Sequence, residues 1–387
     1  MKAKQYKEQI LLERLVTARD TAGYNMKQAA KKLGFNNYQT LSDIEKGKRT
    51  INAHELIAMA KLYSRTLDYF LDQNIAPDPI PLWRKSIEAK EKDIKSTQRE
   101  FLSFLEHYHN LEHLLSLKRR WIDLQVRHSK EDFVHNGFAL AQKLGASIHS
   151  QLDLGSRPAC NLLQVLENNL RFKILHLPLE DVSGACVVDN TLGVGILINA
   201  KDAPWRRNFD LAHELFHVIT WNVFSPEEIG EGTKKTKPEQ FADTFAASLL
   251  LPEDHLREAL NEVSSGGTLK LVDIIELAKD FGVSSEAILW RLAGMNGIKF
   301  SRAQAQKILD DPRFKEMDKK IRYGLYPEIL PAKLPSRFVS LACRGLMDGI
   351  LSRGLFAQYL GIHRAEIDEF LLTEGFVEHN YEKIASA

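Results

Sequence analysis

The chain has 387 residues, of which 44% are hydrophobic and 27% charged, values that are ordinary for globular proteins of two or three domains. Its 52 lysine and arginine residues are balanced by 51 aspartate and glutamate residues, which excludes a protein that is basic along its whole length. The sequence holds no apolar run of 18 residues and no apolar leader, so we expect a cytoplasmic protein without a signal peptide or membrane span. Its three cysteines lie far apart and are expected to be reduced thiols.

Five short helices are predicted at the start of the chain. We expect them over residues 10–23, 26–33, 38–46, 53–63 and 66–71. Asn25 is a predicted N-cap, and Asn52 and Glu55 are spaced as a capping box. The stretches QAAKKLGF and LSDIEKGKR resemble the XRE or phage-repressor helix-turn-helix family, which implies binding to double-stranded DNA. We therefore assign residues 1–73 to a DNA-binding domain.

The local charge agrees with this assignment. Residues 1–72 carry 13 lysine and arginine residues against 8 aspartate and glutamate residues, a net charge of +5. The predicted phosphate contacts, which follow the third helix, are Lys46, Lys48 and Arg49. The predicted contacts at the start of the recognition helix are Asn37, Tyr38, Gln39 and Thr40, since Asn or Gln can pair with adenine. The alternative is a protein-binding helical module with a solvated basic loop.

A proline-containing segment follows this domain. Residues 74–81, NIAPDPIP, hold three prolines and predict an extended linker. Residues 82–133 mix charges with apolar side chains and are predicted to be helical, as a connecting hairpin or as a homodimer surface. We assign residues 74–134 to this linker and its connecting helices.

Two helices and then three strands are predicted in the next part of the chain. The helices are expected within residues 135–170. The strands are expected over 171–177, 186–189 and 194–198, with a turn over residues 190–193. We expect these strands to form a small antiparallel sheet over the helix that follows.

That helix carries the pattern on which the functional prediction depends. In RRNFDLAHELFHVITWN, His213 and His217 are four residues apart, so both leave the same helix face. This H-E-x-x-H spacing is typical of two zinc ligands, with Glu214 as general base. In the later helix PEQFADTFAASLLLP, Glu239 is a candidate third ligand, and Asp243 is a candidate acceptor for the N–H of a ligand histidine. The alternative is that both acids are solvated charges near a helix start.

The run RRNFDLAHELFH, followed by E-x-x-A-D-x-F-A-A-x-L-L-L-P, resembles the ImmA/IrrE family of zinc metallopeptidase-like regulators, which is similar to gluzincins. The resemblance implies Zn²⁺ held by His213, His217 and Glu239, with Glu214 as base. It also implies a peptide substrate laid along an edge strand, for which residues 194–199 are our candidate. We assign residues 135–297 to this domain.

The rest of the chain is predicted to be helical. Residues 268–293 form two amphipathic helices around Gly282, with Ser284 as an N-cap. Residues 335–375 are either a second, weaker helix-turn-helix-like unit or a helical cap that packs on the peptidase-like domain. We assign residues 298–387 to a C-terminal helical domain.

Together these patterns predict an α+β fold that is mainly α. The predicted function is a cytoplasmic DNA-binding transcription regulator whose zinc metalloendopeptidase domain cleaves a repressor-type protein or senses a stress signal. One alternative is a non-catalytic repressor or antitoxin in which the zinc domain is a sensor or scaffold, bound to a partner regulator. The other is a metal-dependent hydrolase of a substrate that is not a protein. H-E-x-x-H with a further Glu argues against a purely structural site, because such sites prefer cysteine and fill all four positions.

Overall fold

The computed structural model describes residues 2–22, 24–63, 65, 67–71, 82–85, 91–117, 124, 127–180, 182–229, 235–264, 269–295, 297–323 and 330–376. Within these residues helices predominate and the strands form one four-stranded sheet, so the predicted α+β, mainly α fold is confirmed. Among the helices so described, none is both long enough and apolar enough to cross a membrane.

The five predicted N-terminal helices are all present. They are α1 (Lys2–Thr21), α2 (Met26–Lys32), α3 (Tyr38–Glu45), α4 (Ala53–Leu62) and α5 (Leu67–Leu71). Asn25 caps α2, and Asn52 and Glu55 form the predicted capping box on α4, because each side chain bonds to a free backbone N–H of the first turn. Ala29 and Ala30 are buried where α2 crosses its neighbours. The domain has a hydrophobic core of its own.

A buried ion pair fixes α3 in this domain. The guanidinium of Arg19 on α1 donates to both carboxylate oxygens of Glu45, at 2.7 and 3.1 Å. The side chains of Arg19 and Glu45 are 9% and 4% exposed. Removing one partner of such a pair leaves an uncompensated buried charge, so the pair holds the end of α3 against α1.

The strands are β1 (Leu82–Lys85), β2 (Lys173–Leu177), β3 (Val182–Asp189) and β4 (Gly193–Asn199), in the order β1-β3-β4-β2. The sheet is mixed, because β2 pairs with β4 in parallel while the other pairs are antiparallel. The prediction of a wholly antiparallel sheet was therefore wrong. The side chain of Asn199, at the end of β4, bonds to the backbone of Leu179 and Val182 and so holds the β2–β3 connection in place.

Two further predictions about strands are corrected. Residues 82–85, which we predicted to be helical, form strand β1 because they pair with β3, about a hundred residues later in the chain. Residues 194–199 lie in β4, which has a strand on each side and is not an edge. A strand paired on both sides has no free backbone groups to offer a peptide, so β4 cannot bind a substrate by strand addition.

The helices after the first domain are α6 (Glu91–Leu114), α7 (Lys130–Gln151), α8 (Pro158–Asn168), α9 (Pro204–Ile219), α10 (Pro226–Ile229), α11 (Lys237–Leu250), α12 (Glu253–Val263), α13 (Leu271–Asp280), α14 (Ser285–Gly294), α15 (Arg302–Asp310), α16 (Pro312–Tyr323), α17 (Ser336–Met347), α18 (Arg353–Leu360) and α19 (Ile367–Thr373). The predicted helix pairs α7–α8 and α13–α14 are confirmed, and Ser284 caps α14.

The sheet separates two hydrophobic cores. One face of the sheet shares a core with α7–α16. The opposite face packs against α6 and α17–α19, so the last three helices cover the sheet as a helical cap would. Apolar side chains of α6 that suggested a dimer surface, such as Phe101 and Leu105, are buried in this second core. They are therefore not available to a second copy.

Charged side chains also connect these parts. Arg65, between α4 and α5 of the N-terminal domain, donates to Glu106 of α6 at 2.5 Å, and both residues are buried. Glu112 of α6 pairs with Lys173 of β2 at 3.2 Å and with Arg337 of α17 at 2.7 Å. Burial would raise the pKa of Glu112, but these two cations outweigh burial and lower it. The ion pairs thus hold α6 to the first domain, the sheet and the cap.

Candidate metal centre and nucleic-acid interface

Helix α9 presents the two histidines. It begins at Pro204, which suits a first turn because proline lacks only an N–H that would be free there. Every residue from 210 to 219 is buried, so this half of α9 lies inside the protein. His213 and His217 leave one face one turn apart, and their Nε2 atoms are 3.1 Å from each other.

Helix α11 provides the third candidate metal ligand, Glu239, which lies 22 residues after His217. Thr236 and Glu239 are spaced as a capping box, but the Thr236 side chain makes no capping bond. Glu239 turns instead to the histidines, with its oxygens 3.3 Å from Nε2 of His213 and 3.0 Å from Nε2 of His217. Burial would raise the pKa of Glu239, but the hydrogen bonds and charges of both histidines lower it.

The spacing of these three groups fits a zinc ion. Zinc is held at about 2.0–2.1 Å by histidine nitrogen and carboxylate oxygen, and a tetrahedron of that radius has edges of about 3.3 Å. The two Nε2 atoms are 3.1 Å apart, one oxygen of Glu239 lies 3.0 Å from Nε2 of His217, and the other lies 3.3 Å from Nε2 of His213, so neighbouring donors are about one such edge apart. All three residues are buried. Within the described part of the chain, they are the group of side chains close enough together to bind one metal ion. Three protein ligands leave one tetrahedral position open, as catalytic sites require.

Asp243 lies one turn after Glu239 and orients the first histidine. Its carboxylate accepts a hydrogen bond from Nδ1 of His213 at 3.0 Å and is paired with Lys235 on its other oxygen. Burial would raise the pKa of Asp243, but His213 and Lys235 lower it, so the carboxylate stays charged. With Nδ1 directed at Asp243, Nε2 of His213 is the nitrogen that would be available to a metal ion.

Glu214, the predicted base, is buried against strand β3. A Cβ atom added at Gly184 would lie 3.1 Å from Oε1 of Glu214, so a side chain there would press on the carboxylate. Two residues on, burial raises the pKa of the Cys186 thiol, and the charge and hydrogen bond of Glu214 raise it further. We did not predict either neighbour from the sequence. A glycine inside a strand, as in DVSGACVVDN, is the signal that could have indicated Gly184.

Close packing against α7 positions α11. A Cβ atom added at Gly145 would lie 2.6 Å from the backbone oxygen of Phe245, so the two helix backbones touch. Phe216, between the two histidines, is wholly buried and contacts the rings of Phe133 and Phe245. The contact between Phe216 and Phe245 joins α9 to α11 beside the candidate metal centre.

The N-terminal domain places the predicted base-contacting residues at the start of α3, where several already have protein partners. Asn37 caps the helix, since its side-chain oxygen accepts from the backbone N–H and hydroxyl of Thr40. Gln39 donates to Asp43 at 3.1 Å. The ring of Tyr38 is 48% exposed and lies under the ammonium of Lys27. Gln39 must therefore release Asp43 before its whole amide can pair with a base.

The predicted phosphate contacts differ among themselves. Lys46, Lys48 and Arg49 are all exposed after α3. The guanidinium of Arg49 donates to Glu55 at 2.7 Å, and this bond helps to lower the pKa of Glu55 against the effect of burial. Part of the positive charge of Arg49 is thus neutralised within the protein.

Comparison with known families agrees with both parts of the molecule. Residues 15–70 match the helix-turn-helix family model, and residues 168–293 match the model of the IrrE N-terminal-like domain. The chain joins an XRE-type helix-turn-helix domain to an ImmA/IrrE-type peptidase-like domain. All three candidate metal ligands and Glu214 lie within the second match, and α3 lies within the first. A search of curated proteins returned no match.

Proposed function

We propose that this fusion protein is a cytoplasmic transcription regulator whose peptidase-like domain is a zinc endopeptidase that cleaves an extended segment of a repressor-type protein. The observation that carries the proposal is the convergence of His213, His217 and Glu239, with separations of 3.0 to 3.3 Å, next to the buried Glu214. The helix-turn-helix domain supports a role in regulation over one in digestion.

In this proposal His213, His217 and Glu239 hold the metal. Zinc in such a site supplies Lewis-acid activation of a water molecule and of a peptide carbonyl group. Asp243 keeps the His213 ring in the tautomer that turns Nε2 toward the site. Lys235 pairs with Asp243 and thereby helps to keep that carboxylate ionised.

Glu214 acts as the general base. Its carboxylate is one residue from His213 and accepts a proton from the attacking water. It then returns the proton to the amine nitrogen as the peptide bond breaks. Gly184 leaves room for this carboxylate, because a side chain at that position would press on Oε1.

For DNA, we propose that α3 enters the major groove and that Lys46 and Lys48 bind phosphates. Gln39 reads a base once it leaves Asp43, while Asn37 acts mainly as the helix cap. Arg49 contributes less, because it is shared with Glu55.

Metal content and cleavage together test the proposal. Purified protein is expected to hold close to one zinc per chain, and His213→Ala or Glu239→Ala is expected to lose most of it, as measured by plasma mass spectrometry. Glu214→Gln is expected to keep both zinc and fold but to stop cleavage of a candidate repressor encoded beside the protein. Full zinc retention in both ligand variants refutes the site. Zinc binding with no cleavage of any candidate favours the non-catalytic sensor instead.

A further inference from the structure

Strand β1 occupies an unusual position for a segment that joins two domains. It pairs antiparallel with the outer side of β3, with Leu82 opposite Cys186 and Arg84 opposite Gly184. The other side of β3 is paired with β4. Without β1, therefore, β3 is an edge strand whose backbone groups are free to bind an extended chain.

The side of β3 that β1 covers lies beside the proposed base. Gly184 is the residue whose added Cβ would lie 3.1 Å from Oε1 of Glu214, and Cys186 is its neighbour on the same face of the strand. Leu82 is buried in the core that contains Leu215 of α9, whereas Ala185 of β3 belongs to the opposite core. A chain paired with β3 thus lies beside the strand residues that border Glu214.

We propose that Leu82–Lys85 is an internal blocking strand that holds the place of an extended peptide substrate on β3. Substrate enters by strand exchange, in which an incoming polypeptide pairs antiparallel with Val182–Cys186 and displaces β1. The inference rests on the proposed function, because it specifies how the substrate of that site is bound and how access to it is controlled.

The pairing is short enough to be exchanged. β1 has four residues, whereas β3 has eight. Its register also shifts between Arg84 and Lys85, since Arg84 pairs with Gly184 and Lys85 with Val182. In the chain, β1 lies between α5, which ends at Leu71, and α6, which begins at Glu91.

A peptide supplied in trans measures access to β3. The probe is a fluorescein-labelled IPLWRKSI peptide, which repeats residues 80–87 of the chain. An internal strand competes with such a probe at an effective concentration in the millimolar range. Releasing the strand is therefore expected to lower the dissociation constant of the peptide at least tenfold, as measured by fluorescence anisotropy on the full-length protein.

The releasing variant is Trp83→Pro with Arg84→Pro. Neighbouring residues of a strand direct their N–H groups to opposite sides, so one of the two prolines removes a donor to β3 whichever residue is bonded. The matched control, Trp83→Ala with Arg84→Ala, changes the same side chains and keeps both N–H groups. It is expected to bind the peptide within about threefold of the unchanged protein, because the internal strand still competes for β3 at its high effective concentration.

The outcomes separate this inference from the proposed function. Tighter peptide binding by the proline variant alone supports the blocking strand, and equal binding by all three proteins overturns it. Chromatography of the peptide after each titration reports cleavage. If the proline variant binds the peptide but no variant cleaves it, and no repressor is cleaved either, the peptidase proposal fails while the blocking strand stands.

A second measurement covers the case in which the proline variant does not fold. Hydrogen–deuterium exchange is followed on the unchanged protein with and without saturating peptide. Faster exchange at residues 82–85, with protection kept over residues 182–186, is the expected result of strand exchange. Binding of the peptide with unchanged exchange at residues 82–85 overturns the inference, because the peptide then binds elsewhere.

Discussion

The contact between α7 and α11 allows a quantitative test of how the metal site is positioned. A Cβ atom at Gly145 would lie 2.6 Å from the backbone oxygen of Phe245 and 2.8 Å from Cβ of Ser248. Ordinary contacts need about 3.4 Å or more, so Gly145→Ala must separate the helices by roughly 0.8 Å. Neither neighbour is the end of a flexible side chain, and the strain therefore falls on the backbone of α11.

The expected loss follows from two opposing terms. Overpacking a tight helix contact costs about 1–3 kcal/mol. Alanine in a helix is about 1 kcal/mol better than glycine. We therefore expect Gly145→Ala to lower the free energy of unfolding by up to about 2 kcal/mol. Since α11 also carries Glu239 and Asp243, the shift is expected to weaken zinc binding about tenfold.

Urea denaturation and competition with a fluorescent zinc chelator measure the two effects. The matched control is Gly294→Ala, because Gly294 is also helical and a Cβ atom added there has no neighbour within 4 Å. The control is expected to be as stable as the unchanged protein or slightly more stable. If Gly145→Ala proves as stable as the control and binds zinc equally well, the contact does not position α11.

Four further substitutions test other parts of the molecule. Lys48→Ala is expected to reduce the salt slope of DNA affinity by about one unit, and Arg49→Ala by less because Glu55 shares its charge; equal slopes in anisotropy titrations would contradict this. Burial raises the pKa of Glu167 to about 7, so the folded protein loses stability as pH rises from 4.5 to 7 while the unfolded chain ionises. Glu167→Gln cannot ionise, so it is expected to lack this pH-dependent loss of unfolding free energy, which is about 2 kcal/mol after allowance for solvent screening. If the unfolding free energies of the two proteins differ by the same amount at every pH, the prediction is contradicted. Asp243→Asn is expected to weaken zinc binding about 10–100-fold with little change in fold, and unchanged affinity would mean that His213 is oriented by other contacts.

Local features of the chain were readable because they depend on residues within about four positions of one another. The five N-terminal helices, their Asn caps and the pairing of His213 with His217 on one face follow from helix periodicity and from free N–H groups in the first turn. The strands around residues 173–199 were likewise recognisable from alternation and turn residues. The helix-turn-helix pattern and the candidate metal-binding face of α9 could thus be predicted from the sequence alone.

Contacts between distant segments were decided by the tertiary structure. Residues 82–85 have no strand pattern of their own and become β1 only because β3 offers an edge. The parallel pairing of β2 with β4 joins segments some twenty residues apart, and the side chain of Asn199 bonds to the connection between β2 and β3. Likewise, the approach of Gly184 to Glu214 depends on packing between the sheet and α9. Hydrophobic periodicity predicts which face of a helix or strand is buried, but it does not identify the element that packs against that face. These pairings could therefore not be predicted from the sequence.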